Sequence, residues 1–415
     1  MAETVSPARL GRGFRLLLAA EVATNLGDGL ALAAGPLLIA SQTRDPLVVS
    51  LALLSELSPT LLFGAVAGAA ADRIDRRRIV VGVNVGRALV LAILAAAIAT
   101  EAVGVPMILA ALFILGTAEV FADVGASSLL PRLVRREDLG IANARMQGAF
   151  LLTNQLVGPP IGAFLFAAGM ALPFVADAVC FALGALLVAR IVVSSAALAE
   201  ATPARPGWRA DLAEGFRWLR RNPPMRTLAL TIFAFNVTFG AAWSVLVLYA
   251  QERLGMSDVG FGLLMTAMAI GGIIGTTAYG RLERRFSLAD IMRVGLLIET
   301  GTHLTLALTT SPVVALATMV VFGAHAFVWG TTATAVRQRA VPDALLGRVT
   351  GVYAIGVDAG IVIGTPIGGF LARTFSITAP FWFGFIGSAV LVTLLWREFD
   401  HIVHAGDSAP AAPAA

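Results

Sequence analysis

The segment VGPPIGAFL at residues 157–165 recurs as IGTPIGGFL at residues 363–371, which is an offset of 206 residues along the chain. In the same order, DRIDRRR at 72–78 recurs as GRLERRF at 280–286, at an offset of 208 residues. Two matches in one order and with nearly equal offsets are hard to obtain by chance. They indicate that the chain consists of two parallel repeats.

Apolar stretches surround both copies of the repeat. Twelve of them, each about 20 residues or longer, lie between roughly residue 14 and residue 396. The 415-residue chain is 58% hydrophobic and 13% charged, with a mean hydropathy of +0.84, and no soluble surface hides so many apolar side chains. We therefore predict an all-α membrane protein with twelve transmembrane helices in two six-helix pseudo-symmetric repeats.

The longest polar segment separates the two predicted halves. Within it, Leu212, Phe216 and Leu219 recur at helical spacing while arginines occupy other faces, which predicts an amphipathic helix along the membrane surface. The predicted organisation is an N-terminal six-helix bundle over 1–193, a cytoplasmic linker over 194–226, a C-terminal six-helix bundle over 227–396 and a cytoplasmic tail over 397–415.

The arginines predict the topology. All 30 basic residues are arginine, and 27 of them fall at the N-terminus, in alternate loops, at adjoining helix ends or in the tail. Only Arg44, Arg253 and Arg373 fall on the opposite side. The positive-inside rule then places both termini in the cytoplasm of a cell whose cytoplasmic membrane holds the chain. This topology explains the excess of basic over acidic residues without a nucleic-acid partner. Basic patches that bind nucleic acid or anionic membrane lipids are the alternative.

Residue types that the chain lacks exclude several functions. Cys180 is the one cysteine, so no intrachain disulfide and no cysteine-rich metal site can form, and we predict no cofactor and no metal. Without lysine the chain cannot carry the GxxxxGK[ST] motif of an ATP-driven pump. It contains no GxSxG or HExxH motif, so we expect no enzymatic activity. A channel fits the two-fold repeat poorly.

The loop GAAADRIDRRR at 68–78 resembles the loop signature of the major facilitator superfamily, in which Asp-Arg and a basic cluster follow a Gly. NLGDGLALAAGPLL at 25–38, LLPRLVRREDLGIANA at 129–144 and RQRAVPDALLGRV at 337–349 are similar to its twelve-helix drug-exporter branch of macrolide-efflux and enterobactin-exporter proteins. The resemblance implies a monomeric secondary transporter that exports small lipophilic or amphipathic compounds by proton antiport with alternating access. A proton- or cation-coupled uptake symporter of the same fold is the alternative.

The same loop carries a predicted conformational gate. The resemblance implies that Asp72 faces the positive N-terminus of the helix that starts near Val349, while neighbouring arginines find acidic partners in the other half. Such contacts hold the cytoplasmic side shut. The predicted gate residues are Gly68, Asp72, Arg73, Arg76 and Arg77.

The fifth apolar stretch contains part of an antiporter signature. Gly158, Pro159 and Gly162 match the GPxxGG pattern that proton-coupled antiporters of this superfamily carry, but the last Gly is replaced. The match favours export over uptake, with simple helix packing as the alternative role. The fourth stretch lacks the buried arginine of other drug-exporter branches and offers Glu119 and Asp123 instead.

Acidic side chains inside the apolar stretches are the candidates for proton coupling. An ionised acid at the bilayer centre costs about 2.5 to 3.5 kcal/mol, so each must be paired, protonated or hydrated. Glu21, Asn25 and Asp28 are spaced by four and seven residues and share one face of the first helix. We predict Asp28, Glu21 and Glu119 as coupling residues, and polar contacts between helices are the alternative. Further acids in the stretches are Glu56, Asp123, Asp177, Glu299 and Asp358.

A second set of residues is predicted to line the substrate cavity. Asn25 and Asn236 correspond between the halves at an offset of 211 residues. Aromatic rings in the seventh and tenth stretches would form a wall for lipophilic substrates, unless they serve ordinary helix packing. His303 and His325 are further candidates because an imidazole in general titrates near physiological pH, with hydrogen-bonded packing as the alternative. The cavity candidates are Asn25, Asn236, Phe239, Trp243, His325 and Trp329.

Overall fold

The computed structural model describes residues 10–192 and 208–403, and every regular element within these ranges is helical. The chain divides into two compact units. Unit 1 comprises Met1–Gln42 and Ser55–Ala204, and unit 2 comprises Thr43–Leu54 and Arg205–Ala415. The predicted linker before Trp208 and the predicted tail after Val403 lie outside the described residues.

The described part of unit 1 contains seven α-helices, of which the second begins in unit 2. A π-helical segment, Leu151–Val157, joins the fifth helix to the sixth, so that both belong to one apolar span. Asp75 caps the third helix, because its carboxylate accepts a hydrogen bond of 2.9 Å from the backbone N–H of Arg77. The helices are α1 (Arg12–Gln42), α2 (Pro46–Arg73), α3 (Arg76–Ala99), α4 (Val105–Leu133), α5 (Leu139–Phe150), α6 (Gly158–Ala168) and α7 (Leu172–Ala189).

Unit 2 contains the remaining main helices. Asn222 and Ser287 cap two of them by accepting hydrogen bonds from the backbone N–H groups of Met225 at 3.2 Å and Asp290 at 3.1 Å. A π-helical turn, Tyr249–Arg253, follows the first membrane helix of the unit. The helices are α8 (Trp208–Arg221), α9 (Pro223–Trp243), α10 (Asp258–Arg285), α11 (Leu288–Leu308), α12 (Pro312–Ala340), α13 (Asp343–Thr374), α14 (Ala379–Leu395) and α15 (Glu398–Val403).

Among the described residues, 11 helical spans are long and apolar enough to cross a membrane. The twelfth predicted span corresponds to α14, an apolar helix of 17 residues. At about 1.5 Å per residue it is about 26 Å long, slightly less than the hydrocarbon core of a bilayer. The prediction of an all-α membrane protein is confirmed, with its last span shorter than the others.

The repeated glycine motif packs in an equivalent way in each unit. In unit 1, α6 packs on α1, where a Cβ atom at Gly162 would overlap the carbonyl oxygen of Leu30. In unit 2, α13 packs on α9, where a Cβ atom at Gly368 would overlap the carbonyl oxygen of Ala241. Because neither residue has a side chain, the two backbones come into direct contact. The recurring motif therefore has a packing role in both units.

The amphipathic segment forms α8, which packs on α13. Arg348 of α13 pairs with Asp211 at 2.7 Å and with Glu214 at 2.8 Å. Leu219 is buried in the core of unit 2, whereas Phe216 remains 59% exposed. Ion pairs and one apolar face thus attach this helix to unit 2.

Candidate functional site

A buried arginine lies at the centre of unit 1. Arg87, half-way along α3, has a side chain that is only 5% exposed. Its guanidinium forms an ion pair with Asp28 of α1 and lies 4.0 Å from a carboxylate oxygen of Glu119 of α4. The aromatic ring of Phe181 of α7 covers it, with 3.9 Å between the guanidinium carbon and the ring centroid. Four helices therefore converge on one buried cation.

The charges around Arg87 do not balance when every acid is ionised. An arginine stays protonated in proteins, so it neutralises one carboxylate. Asp28 and Glu119 both lie within ion-pair distance of it, with side chains that are 21% and 44% exposed. Asp177 of α7 is 2% exposed, and its Oδ1 has no hydrogen-bond partner among the described residues. Buried acids in excess of cations are most stable when one of them holds a proton.

Arg87 is one of the 27 arginines assigned to the N-terminus, alternate loops, helix ends or tail, and for this residue the assignment is wrong, because it lies in the interior of the unit. The signal that could have found it is a charged residue in the middle of an apolar stretch, between IVVGVNVG at 79–86 and ALVLAILAAAIA at 88–99, where a charge requires a partner. Arg87 of α3 lies beside Glu119 of α4, on the span in which the sequence offered acids but no arginine near mid-span.

Two predicted residues of α1 contact each other. The side-chain amide of Asn25 donates hydrogen bonds to Oε2 of Glu21 at 3.1 Å and to its carbonyl oxygen at 2.8 Å. Asp28 instead contacts Arg87. The predicted polar face of α1 therefore divides into a local pair and an ion pair with α3.

The antiporter-like motif packs beside the same part of α1. Gly158 contacts the backbone of Gly29 so closely that a Cβ atom would lie 2.5 Å from its Cα. Pro159 is buried in the same turn of α6. Gly29 follows Asp28 directly in the chain, so the motif lies against the segment that carries this carboxylate.

Unit 2 contains a cavity of about 380 Å³. Four of the predicted cavity residues line it, namely Asn236, Phe239, His325 and Trp329. Trp243 lies behind Phe239 and stacks on its ring, with the ring centroids 5.0 Å apart. Asn25 belongs to unit 1 and pairs with Glu21 as described.

Aromatic rings form much of the cavity wall. Phe239 stacks on Phe322 with centroids 5.9 Å apart and an interplanar angle of 8°. Phe235 and Trp329 lie 6.1 Å apart at 45°. The indole Nε1 of Trp329 has no hydrogen-bond partner among the described residues. The cavity wall is thus largely aromatic and apolar.

A carboxylate between two imidazoles belongs to the same region. Nε2 of His303 lies 3.2 Å from Oε1 of Glu299, and Nε2 of His325 lies 3.1 Å from Oε2. All three side chains are less than 9% exposed, and Glu299 and His325 line the cavity. Glu299 and His303 are four residues apart on α11, whereas the packing of α11 on α12 brings His325 to them.

The predicted gate is described only in part. The side chains of Asp72 and Arg73 lie outside the described residues. One guanidinium nitrogen of Arg77 donates a 2.7 Å hydrogen bond to the carbonyl oxygen of Ala189, which joins the start of α3 to the end of α7. Arg76 is the first residue of α3, and a Cβ atom at Gly68 would meet open space. The gate remains a prediction.

The amino-acid sequence of this chain is similar to those of known proteins. The sequence model of the Major Facilitator Superfamily matches residues 17–357 and 228–412 of the chain. The protein belongs to this superfamily. The superfamily relative Tap, a multidrug efflux pump of Mycolicibacterium fortuitum, is 28% identical over 382 residues, which cover 88% of this chain and 90% of that protein. The enterobactin exporter EntS of Escherichia coli O9:H4 (strain HS) is 28% identical over 303 residues and 71% of each chain.

Solved structures share the fold of this superfamily member. A crystal structure of the nucleoside transporter NupG matches with a TM-score of 0.72 at 12% identity, covering 94% of this chain and 99% of that one. A bacterial homologue of the iron transporter ferroportin matches with a TM-score of 0.69 at 19% identity, covering 94% and 98%. The predicted major facilitator fold and the family resemblance are confirmed, and the chain is a multi-pass membrane protein.

Proposed function

We propose that this protein is a proton-driven exporter of small lipophilic or amphipathic compounds that works by alternating access. The observation that carries the proposal is the cluster of buried Arg87 with Asp28 and the more exposed Glu119 in unit 1. The names of two relatives, a multidrug efflux pump and an enterobactin exporter, support the direction of transport. Both relatives match along most of their length.

The cluster supports proton coupling because its two acids share one cation. With Asp28 ionised, its ion pair with Arg87 holds α1 and α3 together. A proton on Asp28 removes that attraction and leaves Arg87 to Glu119, which lies 4.0 Å away. The more exposed Glu119 then provides a way for protons to reach the cluster. Protonation thereby favours a different arrangement of three helices, which is what coupling requires.

The contact of Gly158 with Gly29 supports a mechanical role for the antiporter-like motif. The π-helical segment Leu151–Val157 precedes the motif, and such segments are locally less regular than an α-helix. Because Gly29 follows Asp28 directly, a change in the Asp28 ion pair would alter the backbone contact between Gly29 and Gly158. We propose that Gly158, Pro159 and Gly162 couple the protonation of Asp28 to movement of α5 and α6.

The cavity of unit 2 supports an apolar substrate. Its volume of about 380 Å³ falls in the range of small-molecule sites, and stacked aromatic rings such as Phe239 and Phe322 line it. Trp243 supports Phe239 from behind. We propose that Asn236, Phe239, His325 and Trp329 contact the transported compound.

The arginine distribution supports a cytoplasmic membrane location with both termini in the cytoplasm. The loop that contains Gly68, Asp72, Arg73, Arg76 and Arg77 would then lie on the cytoplasmic side, where we propose that it holds a gate shut. Membrane lipids would contact the arginines of this side. We further propose that the protein works as a monomer.

Inverted membrane vesicles test the proposal. A panel of fluorescent dyes and antibiotics is added outside, and an acidic lumen is imposed as the only driving force. Antiport predicts accumulation in the lumen that a protonophore abolishes. A symporter would instead drive preloaded substrate out of an acidic lumen, and that result would replace the proposal with the uptake alternative. Vesicles without the protein provide the baseline.

A further inference from the structure

We propose that Arg337, Thr334 and Tyr353 form a binding site for the carboxylate group of an amphipathic aromatic anion, at one end of the unit 2 cavity. The inference rests on the proposed function, because it names a chemical class of substrate for the same cavity. It concerns binding to the purified protein, however, and can be tested without transport.

The first argument is a buried positive charge that has no anion beside it. Arg337, near the end of α12, is only 9% exposed, and an arginine stays protonated in proteins. Its guanidinium carbon lies 4.2 Å from the ring centroid of Tyr353, a contact that favours the cation but supplies no anionic oxygen. A buried charge without a counter-charge is costly, so an anion that contacts the guanidinium stabilises it.

The second argument is that the hydrogen-bond donors of this guanidinium are largely unused. Nε and Nη1 of Arg337 have no hydrogen-bond partner among the described residues. Nη2 donates to Oγ1 of Thr334 at 3.5 Å, which is long for a hydrogen bond. A carboxylate accepts several hydrogen bonds and matches the geometry of a guanidinium. The donors of Arg337 therefore fit an acid group.

Acidic residues near this end of the unit are paired with other arginines. Among the described residues, no acidic side chain lies within ion-pair distance of Arg337. The pairs formed close to it in the chain are Arg339 with Glu283 at 3.0 Å, Arg348 with Asp211 at 2.7 Å, and Arg348 with Glu214 at 2.8 Å. The described part of the protein thus leaves the anion for Arg337 to be supplied by a ligand.

The third argument is access from the cavity. Thr334 and Tyr353 both contact Arg337, and both line the cavity of about 380 Å³. Thr334 lies three residues before Arg337 on α12, so the hydroxyl and the guanidinium share one face of the helix. An acid group bound beside Thr334 and Tyr353 is therefore adjacent to the guanidinium.

The rest of the cavity fits an aromatic body. Phe235 and Trp329, whose ring centroids are 6.1 Å apart, line it next to the proposed acid site. The Glu299 carboxylate lies at a different part of the wall, where it contacts His325 at 3.1 Å. Arg337 follows His325 by 12 residues on α12, which corresponds to about 18 Å. Over such a distance Glu299 repels a bound anion much less than Arg337 attracts it at contact.

Binding of two matched compounds to the purified protein in detergent tests the inference. The probes are naproxen, an aromatic carboxylic acid that is ionised at neutral pH, and its neutral primary amide. Titration calorimetry measures both affinities after subtraction of a detergent blank. We expect naproxen to bind about tenfold more tightly than the amide, because hydrogen bonds between ionised partners are the stronger ones. Equal affinities, or no binding of naproxen, overturn the inference.

Two variants assign the preference to the site. Arg337→Gln should abolish the preference for naproxen and leave the affinity for the amide unchanged. Thr334→Val keeps the size of the side chain but removes the hydroxyl, so it should reduce the preference by a smaller factor. The matched control is Arg339→Gln, which removes a 59% exposed arginine of the same helix and should retain the preference. A preference that persists in Arg337→Gln, or that Arg339→Gln removes equally, overturns the inference.

The comparison of the two probes in the wild type does not depend on the folding of any variant. If naproxen is preferred through Arg337 but inverted vesicles show no proton-driven export, the proposed function fails and the anion site stands. If export occurs but the wild type binds both probes equally, the anion site fails and the proposed function stands.

Discussion

The guanidinium of Arg87 on α3 is paired with the carboxylate of Asp28 on α1 in the interior of unit 1. Glu119 approaches the same guanidinium from α4 at 4.0 Å. Two acids thus share one cation. Removing the cation should therefore change the stability of the protein more than removing one of the acids.

We expect Arg87→Gln to be more destabilising than Asp28→Asn. Removing the cation leaves the carboxylates of Asp28 and Glu119 without it. Breaking a fully buried pair typically costs about 3 to 5 kcal/mol, which is an upper limit here because Glu119 is 44% exposed, whereas Asp28→Asn leaves Arg87 with Glu119. Thermal unfolding in detergent measures the difference. The double variant should be more stable than Arg87→Gln alone. Arg190→Gln, which changes an exposed arginine of unit 1, is the control, and equal stability of all variants would contradict the ion-pair account.

Asp28→Asn tests proton coupling. The variant keeps the size and much of the hydrogen-bonding capacity of the side chain, so we expect substrate binding to persist. It has no exchangeable proton at this position, so pH-driven accumulation in proteoliposomes should be lost while downhill exchange persists. Glu101→Gln, at an exposed loop residue of unit 1, should transport normally. Unchanged accumulation in Asp28→Asn would move the coupling role to Glu119 or Glu21.

Glycines of one helix should differ sharply in their tolerance of a methyl group. Gly368→Ala places a Cβ atom against the carbonyl oxygen of Ala241, and such overpacking costs about 1 to 3 kcal/mol. Gly356 lies in the same helix with open space around it, so Gly356→Ala should be neutral or stabilising by up to about 1 kcal/mol. The melting temperatures of the two variants, each compared with that of the wild type, measure this difference in stability. Equal effects would show that α9 and α13 do not pack as closely as described.

The topology prediction is independent of substrate. Reporter fusions after Arg78, Arg136 and Arg285 should report a cytoplasmic location, because these residues belong to arginine clusters at or beside the ends of the spans. Fusions near Arg44 and Arg253 should report the external side. A reproducible reversal at any one position would require a different order of spans.

The sequence alone determined the membrane class, the helical repeat and the superfamily. These properties are local, because hydropathy depends on the composition of each stretch and the repeated motifs are contiguous in the chain. The sequence also indicated which acids in the spans needed partners. It could not identify the partners. A charged residue in an apolar stretch requires a partner, but the sequence does not show which other helix supplies it.

Only the tertiary structure decided which polar residues meet. Arg87 and Asp28 are 59 residues apart, and Glu299 and His325 are 26 apart, on different helices in both cases. Whether such residues meet depends on how each helix is rotated about its axis. Close contacts at residues without side chains, such as Gly162 against Leu30, determine that rotation and so bring the buried charges together.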